Sequence, residues 1–353
     1  MMGTGLHDLD VLEQQRIQWE MEHLKSVLDT TGVSGEARAN LRVQLMQERA
    51  NNWWRAFSAI NTQPRHEIVQ WEEIIESNRK YKIDRTRQLG TGHFSEVYAA
   101  KSLETGVEVA VKVIDIRGHS NLFKIKNIPR QIKLLEKLSH PLIVRLLKVY
   151  EVKNTQKLLL FMQPSNLGSL ELYIKSRGPV PEERAKKWSR DVITAIGFLH
   201  HLGIAHRRVD PHHVLLHSPN APAKIMFPDA LQEIGDYHVN SPNIVRCRSA
   251  GKRDVYRPPE ANFGTSFDPF PVDIWGFGCT VYFMLITRPP FDNWNNRDSM
   301  KEQLDSKRWS YCGIIDRYPK LNEGAKTFLT FIIHGATDKR PSAAEILALS
   351  WLN

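Results

Sequence analysis

A glycine-rich turn followed at strand distance by a single lysine is the feature of this chain with the clearest chemical use. In Leu89-Gly90-Thr91-Gly92-His93-Phe94-Ser95-Glu96-Val97 the turn separates two β-type runs, and Val109-Ala110-Val111-Lys112 comes one strand later. Glycines let backbone N–H groups approach a phosphate, and a lysine on the next strand neutralises phosphate charge. Further along, His206-Arg207-Arg208-Val209-Asp210 sets a permanent cation and a carboxylate two residues apart. Six histidines crowd the same stretch: His200, His201, His206, His212, His213 and His217. They make no zinc site, because His213 and His217 should fall on loop and strand with no glutamate between them. The cysteines Cys247, Cys279 and Cys312 are far apart and lack metal-ligand spacing, which suits reduced thiols.

The elements that must position these residues change character along the chain. Residues 6–30 have helical spacing at Ile17, Met21, Leu24 and Leu28, and residues 36–60 at Leu41, Leu45, Trp53 and Phe57. Thr30, Thr31, Gly32 and Gly35 break the two apart. Ile68, Trp71, Ile74 and Ile75 suggest a third helix leading to Tyr81, so residues 1–80 are expected to be an all-helical extension for packing or interaction. From Tyr81 the pattern turns to short β runs, Val97 to Ala100, Val107 to Ile116 and Leu158 to Met162. Beyond residue 180 it is mostly helical, as in Ala185 to His200, Val272 to Ile286 and Glu323 to His334. Strands followed by helices predict an α+β domain over residues 81–353, with a β-rich lobe over about 81–163 and a helical lobe over about 164–353.

The order of the motifs resembles the protein kinases nearly to the C-terminus, although Ser95 stands where the family's third glycine is usual. His140-Pro141-Leu142-Ile143-Val144 resembles the segment after the family's αC helix, and His206-Arg207-Arg208 falls at the catalytic loop. Tyr256-Arg257-Pro258-Pro259-Glu260 resembles the end of an activation segment. Asp273-Ile274-Trp275-Gly276-Phe277-Gly278 is similar to the start of a buried central helix. Asp338-Lys339-Arg340-Pro341-Ser342 resembles the late turn whose arginine pairs with the activation-segment glutamate, here Glu260. The resemblance implies a bilobal kinase-like fold, with His206, Glu260, Asp273 and Arg340 in structural roles. It implies a nucleotide pocket of Gly90, Gly92, Val97, Ala110, Lys112, Met162 and Leu215. Within the family the chain is faintly similar to the calcium/calmodulin-dependent and testis-specific branch of Ser/Thr kinases.

Four positions depart from the family's pattern. Kinase catalysis rests on positioning and charge neutralisation by a base, two magnesium ligands and a lysine–glutamate pair. Gln131 stands at the αC glutamate, Arg208 at the base, His213 at the magnesium-binding asparagine and Phe227 at the aspartate of Asp-Phe-Gly. A neutral amide gives no ion pair, an arginine accepts no proton, and neither imidazole nor phenyl suits a hard cation. The expectation is a pseudokinase that is not an enzyme, with no catalytic residue and no metal, acting as scaffold or allosteric regulator. The alternatives are a divergent active Ser/Thr kinase, in which Asp210 and Asp229 serve as base and metal ligand, and a purely structural subunit of a larger assembly. No cofactor is required on this reading, and ATP binding independent of magnesium is implied.

Charge bears on partners. Residues 1–80 hold 9 basic against 12 acidic side chains, whereas residues 81–353 hold 39 against 27. The basic excess favours a protein partner such as an active kinase or the acidic surface of an assembly, with nucleic acid unlikely. No stretch approaches roughly 18 uncharged apolar residues, and Met1 to Asp10 has neither a basic nor an apolar leader region. A cytoplasmic protein with no membrane association is expected.

Overall fold

The computed structural model describes residues 66–69, 80–91, 95–117, 132, 135, 138–152, 156–202, 204–227, 254–263, 267–291, 295–305 and 321–353. They divide into two compact units. One is built from Asn61–Tyr173 with His212–Ile234, the other from Ile174–Pro211 with Gly235–Asn353. The cut therefore differs from the one expected near residue 163. Residues 212–227 return to the sheet unit because Ile225 bridges Ile143 and Leu215 bridges Ser169.

The first unit holds six strands: β1 (His66–Val69), β2 (Tyr81–Thr91), β3 (Ser95–Ser102), β4 (Glu108–Asp115), β5 (Leu146–Val152) and β6 (Lys157–Met162). They lie in the order β1-β5-β6-β4-β3-β2. β1 pairs with β5 in parallel, and every other pairing is antiparallel. Side chains alternate across a strand, so β4 sends Ala110, Lys112 and Ile114 to one face and Val109, Val111 and Val113 to the other. The first face packs Ala110 and Ile114 with Ile132, Val149, Leu160 and Met162. The second packs the three valines with Tyr150, Val152, Leu159 and Phe161. A short hairpin of β7 (Val214–Leu215) and β8 (Lys224–Ile225) completes the unit.

The expected third helix of the extension does not hold at His66–Val69, which is a strand. β-Branched Ile68 and Val69 suit an extended edge, and the backbone groups of β5 supply the pairing. Apart from Lys80, the rest of the 1–80 extension lies outside the described residues.

In the described residues the second unit is helical. α1 (Leu170–Arg177) leads into it from the sheet unit. α2 (Glu182–His201) buries Ala185, Trp188, Val192, Ile196 and Leu199, a stripe at helical spacing. α3 (Pro259–Phe263) precedes α4 (Pro269–Ile286), and α5 (Arg297–Asp305), α6 (Glu323–Ile332) and α7 (Ala343–Leu347) follow. The Asp268 side chain caps α4 by accepting from Phe270 N, and Thr287 ends it with a left-handed φ of 66°. α4 is long and apolar enough to cross a membrane, a qualification of the sequence expectation, yet 83% of it is buried inside the protein. It is the central core helix, with Asp273 in its interior.

Candidate functional site

β4 places Lys112, and its register places the neighbours. Lys112 lies opposite Val97 on β3 and Leu160 on β6, while Ala110 lies opposite Met162. Directly opposed residues share a face, so Val97, Ala110, Lys112 and Met162 form one apolar surface with a cation set in it. The lysine is 3% exposed. Gly90 pairs with Val97 at the edge of that surface. The two-residue strand β7 carries half-buried Leu215 and holds buried His213 beside it. Gly92 and Gln131 lie outside the described residues.

The two magnesium positions do not fit the ion. His213 is buried, with its carbonyl accepting from Met226 N at 2.8 Å. Phe227 is half-buried and offers no oxygen ligand from its side chain. Among the described residues no group of three His, Cys, Asp or Glu side chains forms a metal site. Magnesium prefers oxygen ligands in octahedral array, which imidazole and phenyl do not supply. Asp229 lies outside the described residues.

In the helical unit the loop after α2 is anchored by one buried carboxylate. Asp273, 0% exposed, accepts from His206 N at 2.7 Å and from Arg207 N at 2.5 Å. His200 Nε2 lies 2.9 Å from the same carboxylate. These bonds hold Arg207 at a φ of 66°, a conformation that a non-glycine residue adopts only when its surroundings fix it. Gly276, one turn along α4, lets Val209 come close: a Cβ there would sit 2.4 Å from Val209 O. Arg340, buried, makes a bidentate pair with Glu260 at 2.5 and 3.1 Å. Its guanidinium lies 4.8 Å over the Trp275 ring. All four residues expected in structural roles thus meet partners within this unit.

The loop so held presents a carboxylate after all. Asp210 is 1% exposed, and Arg208 Nε stands 3.4 Å from its Oδ2. Arg208 Nη2 also lies 3.8 Å from Asp254 Oδ2. These groups line a cavity of about 10 Å³ with Arg207, Tyr256 and Arg257, room for about one water. Burial is the main cause that holds the Arg257 guanidinium below its ordinary pKa; Asp254 opposes it and the neighbouring Arg208 and Arg207 add to it. Asp254 was not singled out by sequence, since it sits more than forty residues from the loop it faces, and Arg257 was named only within the Tyr256-Arg257-Pro258-Pro259-Glu260 motif, with no partner in that loop.

Comparison with known proteins agrees with this arrangement. The protein kinase domain matches residues 83–352. The chain is 29% identical to the SNF-related serine/threonine-protein kinase of Rattus norvegicus over 274 residues, 77% of this chain and 34% of that protein. It is 28% identical to calcium/calmodulin-dependent protein kinase type 1 of Macrobrachium nipponense over 273 residues, 75% of this chain and 73% of that protein. A crystal structure of Rad53 1-466 in complex with AMP-PNP matches with a TM-score of 0.61 and 27% identity, covering 78% of this chain and 66% of that one. The chain spans about a third of the length of the SNF-related relatives.

These similarities correct the expectation of a non-enzyme. The relatives bear the names of serine/threonine protein kinases, and nothing in the comparisons marks a loss of catalysis. The physical reason the sequence misled is local. Arg208 at the base position was weighed, with three other substituted positions, above the alternative in which Asp210 serves as base, and the loop holds that carboxylate buried and paired with Arg208.

Proposed function

Because the chain belongs to the protein kinase family, its domain matching residues 83–352, we propose that it is a divergent Ser/Thr protein kinase whose catalytic-loop charges have exchanged places. In the family pattern a carboxylate stands at the Arg208 position and a lysine at the Asp210 position. Here both charges are kept and their order is reversed. Asp210 takes the role of orienting the acceptor hydroxyl, for which a carboxylate oxygen within hydrogen-bond reach is required. Arg208 supplies permanent positive charge for the transferred phosphoryl group. The observation that carries this reading is the 3.4 Å pairing of Arg208 with a carboxylate only 1% exposed.

The sheet unit supplies the nucleotide residues. Val97, Ala110, Met162 and Leu215 offer an adenine-sized apolar surface, and Lys112 and Gly90 meet phosphates. Magnesium is a weak contributor on this reading, since His213 and Phe227 replace its usual ligands. The acceptor is a serine or threonine, in keeping with the named relatives, and the basic excess after residue 80 favours acidic protein partners, an active kinase or an acidic assembly surface among them. We place its action in the cytoplasm.

The test is incubation of the full chain with γ-labelled ATP and a general protein substrate, with magnesium and then with manganese. Label on serine or threonine is the expected result. Absence of label with either metal, from protein that ATP nonetheless stabilises, overturns the proposal.

A further inference from the structure

The two edges of the six-stranded sheet are built differently. β2 forms one edge and protects itself. Lys82, Asp84, Arg85 and Arg87 are exposed along it, and its register with β3 shifts between Asp84 and Gln88 and again between Gln88 and Gly90. Charges and broken register keep an edge strand from pairing with another chain. The other side ends on β1, a strand of four residues that precedes the segment matching the protein kinase domain, which begins at residue 83. Within that matching segment the last strand on this side is β5.

β5 carries protection of this kind only where β1 leaves it open. Its first part has a register shift against β6 between Leu146 and Lys148, and a lysine stands there. From Val149 to Val152 the register with β6 is regular. The run Val149-Tyr150-Glu151-Val152 holds no proline, glycine or lysine, and its one charged residue, Glu151, is half-buried. Val149 packs into the cluster on the Lys112 face, whereas Tyr150 and Val152 pack into the cluster on the opposite face. This stretch is thus held from both sides with one row of backbone groups directed along the sheet plane, away from β6. β1 pairs with these same four residues: His66 with Val149, Glu67 with Tyr150, Ile68 with Glu151 and Val69 with Val152. The unprotected length of the edge and the length of the added strand coincide.

We infer that the Val149–Val152 edge of β5 is a strand-acceptor site whose ligand is an extended peptide segment added in parallel, and that His66–Val69 of the same chain fills it in cis. In strand addition the main-chain hydrogen bonds supply the affinity. A four-residue ladder at a sheet edge opens more readily than the core strands behind it, so the cis strand exchanges with a free segment of like sequence. Val149 belongs to the same cluster as Ala110 and Met162, so an occupant of this edge acts on a strand that supports the Lys112 face.

The experiment uses the full-length protein carrying Glu67→Pro together with Ile68→Pro. Alternate residues of a strand direct their N–H groups to a given neighbour, so one of the two prolines removes a donor from the ladder. A fluorescently labelled peptide of residues 65–70 should bind this variant at least about tenfold more tightly than the wild type, whose own strand competes at the high effective concentration of a tethered segment. The same peptide with prolines at both positions should not bind. Failure of the unmodified peptide to bind the variant, or equal binding to variant and wild type, would overturn the inference. A second measurement holds where the proline variant does not fold. Ile68→Cys with Glu151→Cys puts two thiols on directly opposed residues, within the span of a disulfide, and mild oxidation followed by peptide mapping should give a 68–151 link within one chain. A link between two chains would assign the edge to a second copy and overturn the cis occupancy, and no link at all would overturn the pairing.

Discussion

Lys112 and Arg208 stand at the centres of two regions that have departed from the family pattern to very different degrees. Around Lys112, the residues of the apolar surface keep the expected types, and strand register brings Val97, Ala110 and Met162 onto the lysine's face. Around Arg208, the charges are rewritten, yet the anchors beneath are intact: Asp273 still holds the backbone of His206 and Arg207, and Arg340 still holds Glu260. The difference separates two kinds of constraint. A sheet surface is specified by alternation and register, which tolerate little change without moving the core. A loop held from below by a buried carboxylate can change the sign of its charges while its backbone stays in place.

Breaking the anchors should have the largest effect. Arg340→Ala leaves Glu260 without its cation inside the helical unit, and loss of one member of a buried pair costs about 3–5 kcal/mol. Urea unfolding of the helical unit measures it. Gly276→Ala should follow. Its Cβ would meet the Val209 carbonyl at 2.4 Å, a backbone contact that cannot swing aside, so about 1–3 kcal/mol of destabilisation is expected, with the loop displaced. Phosphotransfer should fall more than ATP binding, because the strain enters next to Asp210.

Changes on the apolar surface around Lys112 should do the reverse. Ala110→Phe fills the apolar surface and should abolish the thermal stabilisation produced by millimolar ATP, while Lys112→Ala should weaken it. In the wild type, this stabilisation should depend little on magnesium, since imidazole and phenyl stand at the ligand positions. A large magnesium requirement would point to a metal site outside the described residues. The smallest effect should come from Asp254→Asn. Its contact with Arg208 is 3.8 Å long and the arginine is 40% exposed, so the cost should be under about 1 kcal/mol by thermal unfolding.

Much of this was legible in the sequence where a motif residue meets a fixed partner. Glu260 and Arg340 lie 80 positions apart and still pair, because each belongs to a turn or helix end whose type the sequence prescribes. The face shared by Val97, Ala110 and Lys112 follows from a period of two. Other features were hidden for physical reasons. β1 spans four residues, and the spacing of Ile68 with Trp71, Ile74 and Ile75 fits a helix, so only pairing with β5 reveals a strand. His200 looked like one of a crowd of histidines, and its bond to Asp273 joins residues 73 apart. The cavity beside Asp210 draws Asp254 and Arg257 from beyond a long intervening segment, and the motif that contains Arg257 gives no sign of this contact.

The central claim is that Asp210 does the work of the catalytic-loop carboxylate. Its most direct test compares phosphate transfer from γ-labelled ATP by the wild type and by Asp210→Asn, at equal ATP binding. The exchanged-charge account predicts measurable transfer by the wild type and a fall of about 10²–10⁴-fold in the variant, the usual contribution of a positioned acid or base. Equal rates in the two proteins, or no transfer by the wild type under conditions where ATP is bound, would contradict it.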